Sequence, residues 1–159
     1  MAWVVEIRCR LALPMERAWD LVRSPVTLTW ISAPLLTFRP LEPPRFPERW
    51  SAGRHRVSMA FLGVLPLGRQ WIDISFPEPG PDHTHGTRIV RDNGTGQLVK
   101  RWDHWIIMAP TDDGATDYRD RVAIEAGLLT PFIWLFAQGF YRWRQRRWRR
   151  IAQGDGPAA

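Results

Sequence analysis

The chain has 159 residues, which suits a single domain, and apolar residues make up 45% of it, enough for a hydrophobic core. No run of 18 apolar residues occurs, so the sequence predicts no membrane-spanning helix. The first residues lack the basic and apolar regions of a secretory signal peptide. Cys9 is the single cysteine, which excludes an intrachain disulfide and suits a reducing compartment, so we expect a cytoplasmic protein.

The net charge of +6 is concentrated near one end of the sequence. Six of the 22 basic residues are arginines within residues 142–150, a stretch that has no acidic residue. Without these six, basic and acidic residues are equal in number. The composition therefore predicts a neutral body with one basic segment.

Alternation and helix signals define the first three elements. Residues 3–11 alternate between two faces, which predicts a half-buried strand. Its inward face carries Trp3, Val5, Ile7, Cys9 and Leu11. Pro14 then opens a short helix, because proline is tolerated in the first helical turn, and a second short helix is predicted at residues 26–31.

Turn residues divide the middle of the chain into strands. Four prolines from Pro40 to Pro47 predict a loop or an edge crossing. The Asp-Gly pair within residues 111–116 predicts the hairpin that joins the last two strands. Alternation predicts five further strands, within residues 54–63, 68–76, 87–96, 97–108 and 117–126.

A long helix follows the strands. Thr130 is a good amino-terminal cap and Pro131 suits the first helical position. The helix is predicted to run to about Ile151, a length of roughly 30 Å. Strands followed by one long helix indicate an α+β fold, in which a curved antiparallel sheet of six to seven strands wraps around the helix. We expect one domain over residues 1–153 and a disordered tail over residues 154–159.

Several short motifs resemble those of the SRPBCC superfamily, the START and Bet v 1-like helix-grip proteins that include polyketide cyclases and lipid carriers. The segment "LPMERAWDLV" is similar to the family's entry into its first helix, and "LGVLPLGRQW" resembles a strand pair of one bacterial branch. "RWDHW" is similar to another strand of that branch, with Trp105 where a basic residue is usual. "YRDRV" resembles the final strand, with Arg119 in place of threonine, and "YRWRQRRWRR" resembles the branch's arginine-rich helix end. Together these matches span about residues 3 to 150.

The resemblance implies an internal cavity for a hydrophobic ligand, and it leaves three functions open. The first is binding or transport of a lipid, quinone, terpenoid or polyketide. The second is an enzyme of the polyketide cyclase or aromatase-dehydratase type, with His104 as acid and base. The third is a docking module that uses the basic helix end. No phosphate loop or dinucleotide fingerprint is present, so no cofactor is predicted, and the oligomeric state stays open.

His104 and Asp120 are the candidate catalytic pair. If the last two strands form a hairpin with their apolar faces inward, His104 lies opposite or diagonal to Asp120, with Cβ atoms about 4.5–5.5 Å apart across the pair. Such a pair would serve as a general base or hold a ligand hydroxyl, or it would be a hydrogen-bonded structural pair.

The candidate ligand-binding residues come from the inward faces of the strands and from the long helix. They are Met59, Phe61, Trp102, His104, Ile106, Tyr118, Phe132, Phe136 and Phe140. Arg69, Trp71 and Asp73 share one face of their strand, and we favour the outer surface for them because the opposite face is apolar.

Three environments suit the basic helix end: solvent, an anionic membrane surface and nucleic acid. Nucleic acid is the least expected of the three. A peripheral membrane contact would use Trp143 and Trp148 as interfacial anchors. Its cationic side would consist of Arg142, Arg146, Arg149 and Arg150. His83 and His85 lie two apart without further ligands at a recognisable spacing, so no metal site is predicted.

Overall fold

The computed structural model describes residues 1–157 as a seven-stranded antiparallel sheet with three α-helices. The order of elements confirms the predicted helix-grip α+β fold, with two short helices after the first strand and one long helix at the end. The elements are β1 (Trp3–Leu11), α1 (Met15–Val22), α2 (Pro25–Ser32), β2 (Leu36–Glu42), β3 (Gly53–Phe61), β4 (Leu65–Ser75), β5 (Arg88–Gly96), β6 (Arg101–Pro110), β7 (Thr116–Glu125), a 3₁₀ turn (Gly127–Leu129) and α3 (Thr130–Ala152).

The strands follow the order β1-β7-β6-β5-β4-β3-β2, so β1 and β2 form the two edges of the sheet. The β6–β7 hairpin sets Ile106 opposite Asp120 and His104 opposite Val122. His104 is therefore diagonal to Asp120. Both side chains point to the same face, because Asp120 lies two residues from Val122, the partner of His104, and side chains alternate between faces along a strand.

The sequence left the segment from Pro40 to Pro47 as a loop or an edge crossing, and the structure places its first residues on the edge strand β2. Leu36–Glu42 pairs with β3, and Pro40 lies opposite Val57 just before a register shift. Proline lacks the backbone N–H of other residues and is tolerated on an edge strand, where no further strand needs that donor.

Helix α3 packs against the inward face of the sheet, mainly along β1 and β7. Its amino-terminal half joins one hydrophobic cluster, which includes Val5, Val122 and Phe140. Its carboxy-terminal half joins a second cluster, which includes Tyr118 and Trp148. These contacts bury one stripe of the helix along most of its length, as the helical period of its apolar residues predicts.

Polar contacts fix the long helix in place. The indole nitrogens of Trp134 and Trp143 donate to the carbonyl oxygens of Val4 and Ala33, each at 2.9 Å. Thr130 differs from its predicted role as a cap, because its hydroxyl accepts from the N–H of Ala126 and donates to the carbonyl of Gly127. It therefore secures the 3₁₀ turn that leads into the helix.

The described chain continues past α3 to residue 157. The backbone N–H of Asp155 donates to the carbonyl of Arg150 at 2.9 Å, and the two side chains also form an ion pair. The last two residues of the predicted tail, 158 and 159, lie outside the described residues. Within residues 1–157, no helix has the length and apolar character needed to cross a membrane.

Candidate functional site

A cavity of about 360 Å³ lies between the sheet, α2 and α3. Most of its wall is apolar, because the inward positions of β3, β4 and β6 and one side of α3 carry aliphatic and aromatic side chains. The predicted residues that border it are Met59, Phe61, Trp102, His104, Ile106, Phe132, Phe136 and Phe140. Tyr118 is not among the bordering residues, since it lies fully buried against Trp148, with ring centroids 5.3 Å apart.

The cavity reaches the surface beside the amino-terminal end of α3. Leu65, Leu98 and Phe132 border the cavity and are also exposed, Phe132 by 71%. Leu65 begins β4 directly after the β3–β4 turn, and Leu98 lies in the β5–β6 connection, so two hairpins and the helix start surround this mouth. An apolar rim around an apolar cavity is typical of an entrance for a hydrophobic ligand.

His104 and Asp120 meet at the inner part of the site. The distance from His104 Nε2 to Asp120 Oδ1 is 2.7 Å, and both side chains are buried. Burial lowers the pKa of His104, although the hydrogen bond to Asp120 opposes this effect. The imidazole is therefore neutral at pH 7, and its Nε2–H donates to the carboxylate.

Asp120 accepts hydrogen bonds from several buried groups. The Tyr118 hydroxyl donates to Oδ1 at 3.1 Å, and the Gln145 side-chain amide approaches Oδ2 at 3.5 Å. Burial alone would raise the pKa of Asp120, but the charge of Arg144 and the hydrogen bond from His104 outweigh it and lower the pKa. Asp120 is thus an ionised carboxylate inside the protein.

Arg144 is a site residue that the sequence analysis did not single out among the six arginines of residues 142–150. Its side chain borders the cavity and is 4% exposed as a residue, and Nη2 lies 3.9 Å from Asp120 Oδ1. Within residues 1–157, its buried Nε has no hydrogen-bond partner. Helical spacing is the signal that could have found it, because Arg144 lies on the buried stripe of Phe140 and Trp148.

Asp92 is the second site residue that sequence reasoning missed. It borders the cavity from β5, directly opposite His104 in the strand register, and its Oδ1 accepts the backbone N–H of Asp73 at 2.8 Å. Burial raises the pKa of Asp92 to about 7. Alternation with the buried Val90 could have placed it inward.

The other face of β4 lies on the outside of the sheet, as the sequence analysis favoured. The Arg54 guanidinium stacks over the Trp71 ring at 4.4 Å, and Ile72 and Ile74 on the opposite face border the cavity. Arg69 is exposed and lies at the edge of the cavity.

The arginines of α3 divide into an exposed and a buried set. The predicted cationic side is exposed and consists of Arg142, Arg146, Arg149 and Arg150. Arg147 instead stacks over Trp30 at 3.6 Å. The predicted tryptophan anchors are wrong, because Trp148 is fully buried and Trp143 is partly buried and bonded to Ala33.

The remaining sequence candidates lie away from this site. His83 and His85 are exposed in the loop between β4 and β5. Cys9 is buried in the core, and burial raises the pKa of its thiol to about 11. Within residues 1–157, no group of three or more histidine, cysteine, aspartate or glutamate side chains could hold a metal ion.

The sheet, the long helix and the cavity between them define a helix-grip fold, and comparison with solved structures supports this fold. A START superfamily protein from Mycobacterium smegmatis is similar over 97% of this chain and 99% of its own, with a TM-score of 0.63 and 11% identity. A conserved protein from Geobacillus kaustophilus is similar over 98% of both chains, with a TM-score of 0.61 and 12% identity.

A norcoclaurine synthase point mutant from Thalictrum flavum, solved in complex with a transition-state analogue, is similar over 97% of this chain and 96% of its own. Its TM-score is 0.63 and its identity 11%. No family model matches the sequence, and no curated protein matches it. At these identities the likeness establishes the fold, and the residues of the site must carry any argument about function.

Proposed function

We propose that this protein binds and carries a hydrophobic small molecule in the cavity between the sheet and α3. The observation that carries the proposal is the apolar cavity of about 360 Å³ with an exposed apolar rim. This volume lies within the range of small-molecule pockets, which is about 300–1,000 Å³. Lipids, quinones, terpenoids and polyketides all have apolar bodies that fit such walls.

Affinity would come mainly from transfer of the ligand body out of water. Each buried methylene contributes about 0.8 kcal/mol, so a body of ten carbons gains about 8 kcal/mol before the cost of immobilisation is subtracted. Polar groups at the inner end, including His104, would then fix the orientation of the ligand.

A second candidate function is proton-transfer catalysis of the cyclase or dehydratase type. The observation that favours it is His104, a neutral imidazole that borders the cavity and is oriented by Asp120 at 2.7 Å. A buried histidine held by a carboxylate can accept and return a proton. Norcoclaurine synthase is an enzyme of the same fold, so the fold is compatible with catalysis.

Contact with a partner surface through α3 is the third candidate. The exposed arginines of the helix give one cationic side, which suits the anionic surface of a membrane. Because the two tryptophans of this region are occupied within the protein, such a contact would be electrostatic and sensitive to salt.

Native mass spectrometry of the purified protein, followed by denaturing extraction, tests the carrier proposal directly. A stoichiometric lipid, quinone or terpenoid would support it and identify the ligand class. Uptake of the neutral fluorescent probe N-phenyl-1-naphthylamine tests the cavity itself. A protein that is empty and also fails to take up the probe would refute the carrier.

A variant pair assigns probe uptake to the cavity. Met59→Trp adds a large ring to the cavity wall and should abolish uptake. Val26→Trp adds the same ring at an exposed position of α2 outside the cavity and should leave uptake unchanged. Equal uptake by both variants would place the probe elsewhere on the protein.

A further inference from the structure

We propose that the inner end of the cavity is a subsite for the carboxylate head group of an amphipathic ligand, with Arg144 as its anchor and Asp92 beside it. This inference rests on the proposed function and adds the chemical class of the ligand. The ligand would be an acid with a long apolar body.

The two buried charges, Asp120 and Arg144, differ in how many hydrogen bonds they form. Asp120 receives hydrogen bonds from His104 and Tyr118 and a longer one from Gln145, so its acceptor capacity is largely used. Arg144 lies 3.9 Å from Asp120 and 5.2 Å from the centre of the Tyr141 ring, and within residues 1–157 its Nε has no hydrogen-bond partner. Buried guanidinium groups are normally hydrogen-bonded, so Arg144 has an unused donor at Nε beside the cavity.

The N–H donors of the Arg144 guanidinium suit a carboxylate. A guanidinium presents its N–H groups in a planar fork that matches the two oxygens of a carboxylate. Arg144 is 4% exposed and borders the cavity, so a head group that reaches it would leave water completely. A charge-assisted hydrogen bond in such surroundings is stronger than a neutral one. A ligand alcohol would satisfy fewer of these donors than an acid.

An apolar stripe of α3 leads from the cavity mouth to Arg144. Phe132, Phe136 and Phe140 precede Arg144 at steps of four residues, and all of them border the cavity. Twelve residues of helix span about 18 Å. An apolar body lying along this stripe would have its head at Arg144 and its tail at the exposed rim.

Asp92 makes the binding of an acid at this subsite depend on pH. The groups that face it are His104 from β6 and Arg144 and Tyr141 from α3. The backbone N–H of Asp73 on β4 donates to Asp92, the Asp73 carboxylate raises the pKa of Asp92, and Asp103 raises it more weakly. Asp120 is already ionised beside Arg144, so a bound carboxylate and an ionised Asp92 would bring three negative charges to one guanidinium. The resulting repulsion means that the bound acid and Asp92 would keep one proton between them. Acid uptake should therefore be tighter at pH 6 than at pH 8.5, because Asp92 is protonated in the free protein at the lower pH.

Displacement of N-phenyl-1-naphthylamine by matched ligand pairs tests the subsite. Decanoic acid is compared with decanol, and abietic acid with its alcohol abietinol, so the pairs distinguish a flexible chain from fused rings. In the wild-type protein at pH 6, we expect one acid to bind at least tenfold more tightly than its alcohol. Arg144→Gln should reduce this preference to within threefold, whereas Arg146→Gln, on the exposed side of the same helix, should preserve it.

Two further variants keep the test decisive. If the single variant Arg144→Gln does not fold, a double variant that also carries Asp120→Asn replaces it in the test. The double variant removes both buried charges, so neither is left without its partner. Asp92→Asn keeps an oxygen for the Asp73 N–H and should remove the difference in acid binding between pH 6 and pH 8.5.

The outcomes separate this inference from the proposed function. Probe uptake with equal affinity for acid and alcohol in both pairs would overturn the carboxylate subsite and leave the carrier intact. An acid preference that survives the loss of Arg144 would also overturn the subsite. Absence of uptake of the probe and of every ligand would overturn both.

Discussion

The guanidinium of Arg144 and the carboxylate of Asp120 face each other inside the protein, with 3.9 Å between Nη2 and Oδ1 and both side chains at most 5% exposed. The two residues belong to α3 and β7, so the pair connects the gripped helix to the sheet around it. Asp120 raises the pKa of Arg144 even though burial opposes ionisation, and Arg144 lowers the pKa of Asp120. Each charge is therefore maintained by the other.

Asp120→Asn should strongly destabilise the fold, because it leaves the Arg144 charge buried without compensation. Loss of one partner of a buried ion pair costs about 3–5 kcal/mol in the free energy of unfolding. Urea unfolding followed by circular dichroism measures the change. Asp113→Asn, which breaks a surface pair with Arg10, is the matched control and should leave the urea midpoint unchanged. Similar midpoints for the two variants would contradict the structural role of Asp120.

Asp92→Asn should change how stability depends on pH. The pKa of Asp92 is raised to about 7 in the folded protein, above the value near 3.9 of an unfolded chain. The folded state therefore binds more protons between pH 4 and 7, and the stability that Asp92 contributes is lost as pH rises through this window. In the wild type, Asp92 lowers the free energy of unfolding by about 2.5 kcal/mol between pH 5 and pH 8. The variant lacks this loss, so its stability at pH 8 relative to pH 5 should be higher by that amount.

The measurement for Asp92 is urea unfolding of both proteins at pH 5 and pH 8. His104 acts with the opposite sign, because its lowered pKa reduces stability as pH falls below about 6.5. His104 is unchanged in the variant, so the comparison isolates Asp92. Parallel stability curves for the two proteins would show that Asp92 does not titrate as described.

His104→Gln distinguishes the carrier from the enzyme. The glutamine amide can still donate to Asp120, and the apolar walls that would provide affinity are unchanged. For a carrier, we expect the dissociation constant of N-phenyl-1-naphthylamine to stay within about threefold of the wild-type value, since one polar group contributes little to binding of an apolar probe. A tenfold loss of binding in a folded variant would contradict this expectation. For an enzyme, turnover would fall while the probe still binds.

Trp148→Ala tests whether this tryptophan is a core residue. Trp148 is fully buried and packs on Tyr118, so its truncation should lower the free energy of unfolding by about 3–5 kcal/mol. Leu128→Ala, at a residue that is 95% exposed, should change it by less than about 0.5 kcal/mol. Thermal and urea unfolding provide the comparison. A small effect at Trp148 would mean that the indole is available for an external contact.

Much of the fold followed from local patterns in the sequence. The alternation of residues 3–11 gave the first strand, and the spacing of apolar residues after Pro131 gave the long helix. The pairing of His104 with Asp120 could also be predicted, because a two-residue repeat and a tight hairpin fix which side chains share a face. These features depend on short stretches of chain, so the sequence carries their signal directly.

Only the tertiary structure decided which polar residues belong to the site. Arg144 lies among five other arginines of similar sequence surroundings, and its burial depends on Asp120 in a distant strand. The prolines from Pro40 to Pro47 fit either a loop or an edge crossing, and the pairing of β2 with β3 at the edge of the sheet decided between them for Pro40. The sequence by itself determined the three helices and six of the seven strands, since these follow from local periodicity. The tertiary structure determined the buried charges and the cavity mouth, because the free energy of a charge or an exposed ring depends on neighbours that are remote in the chain.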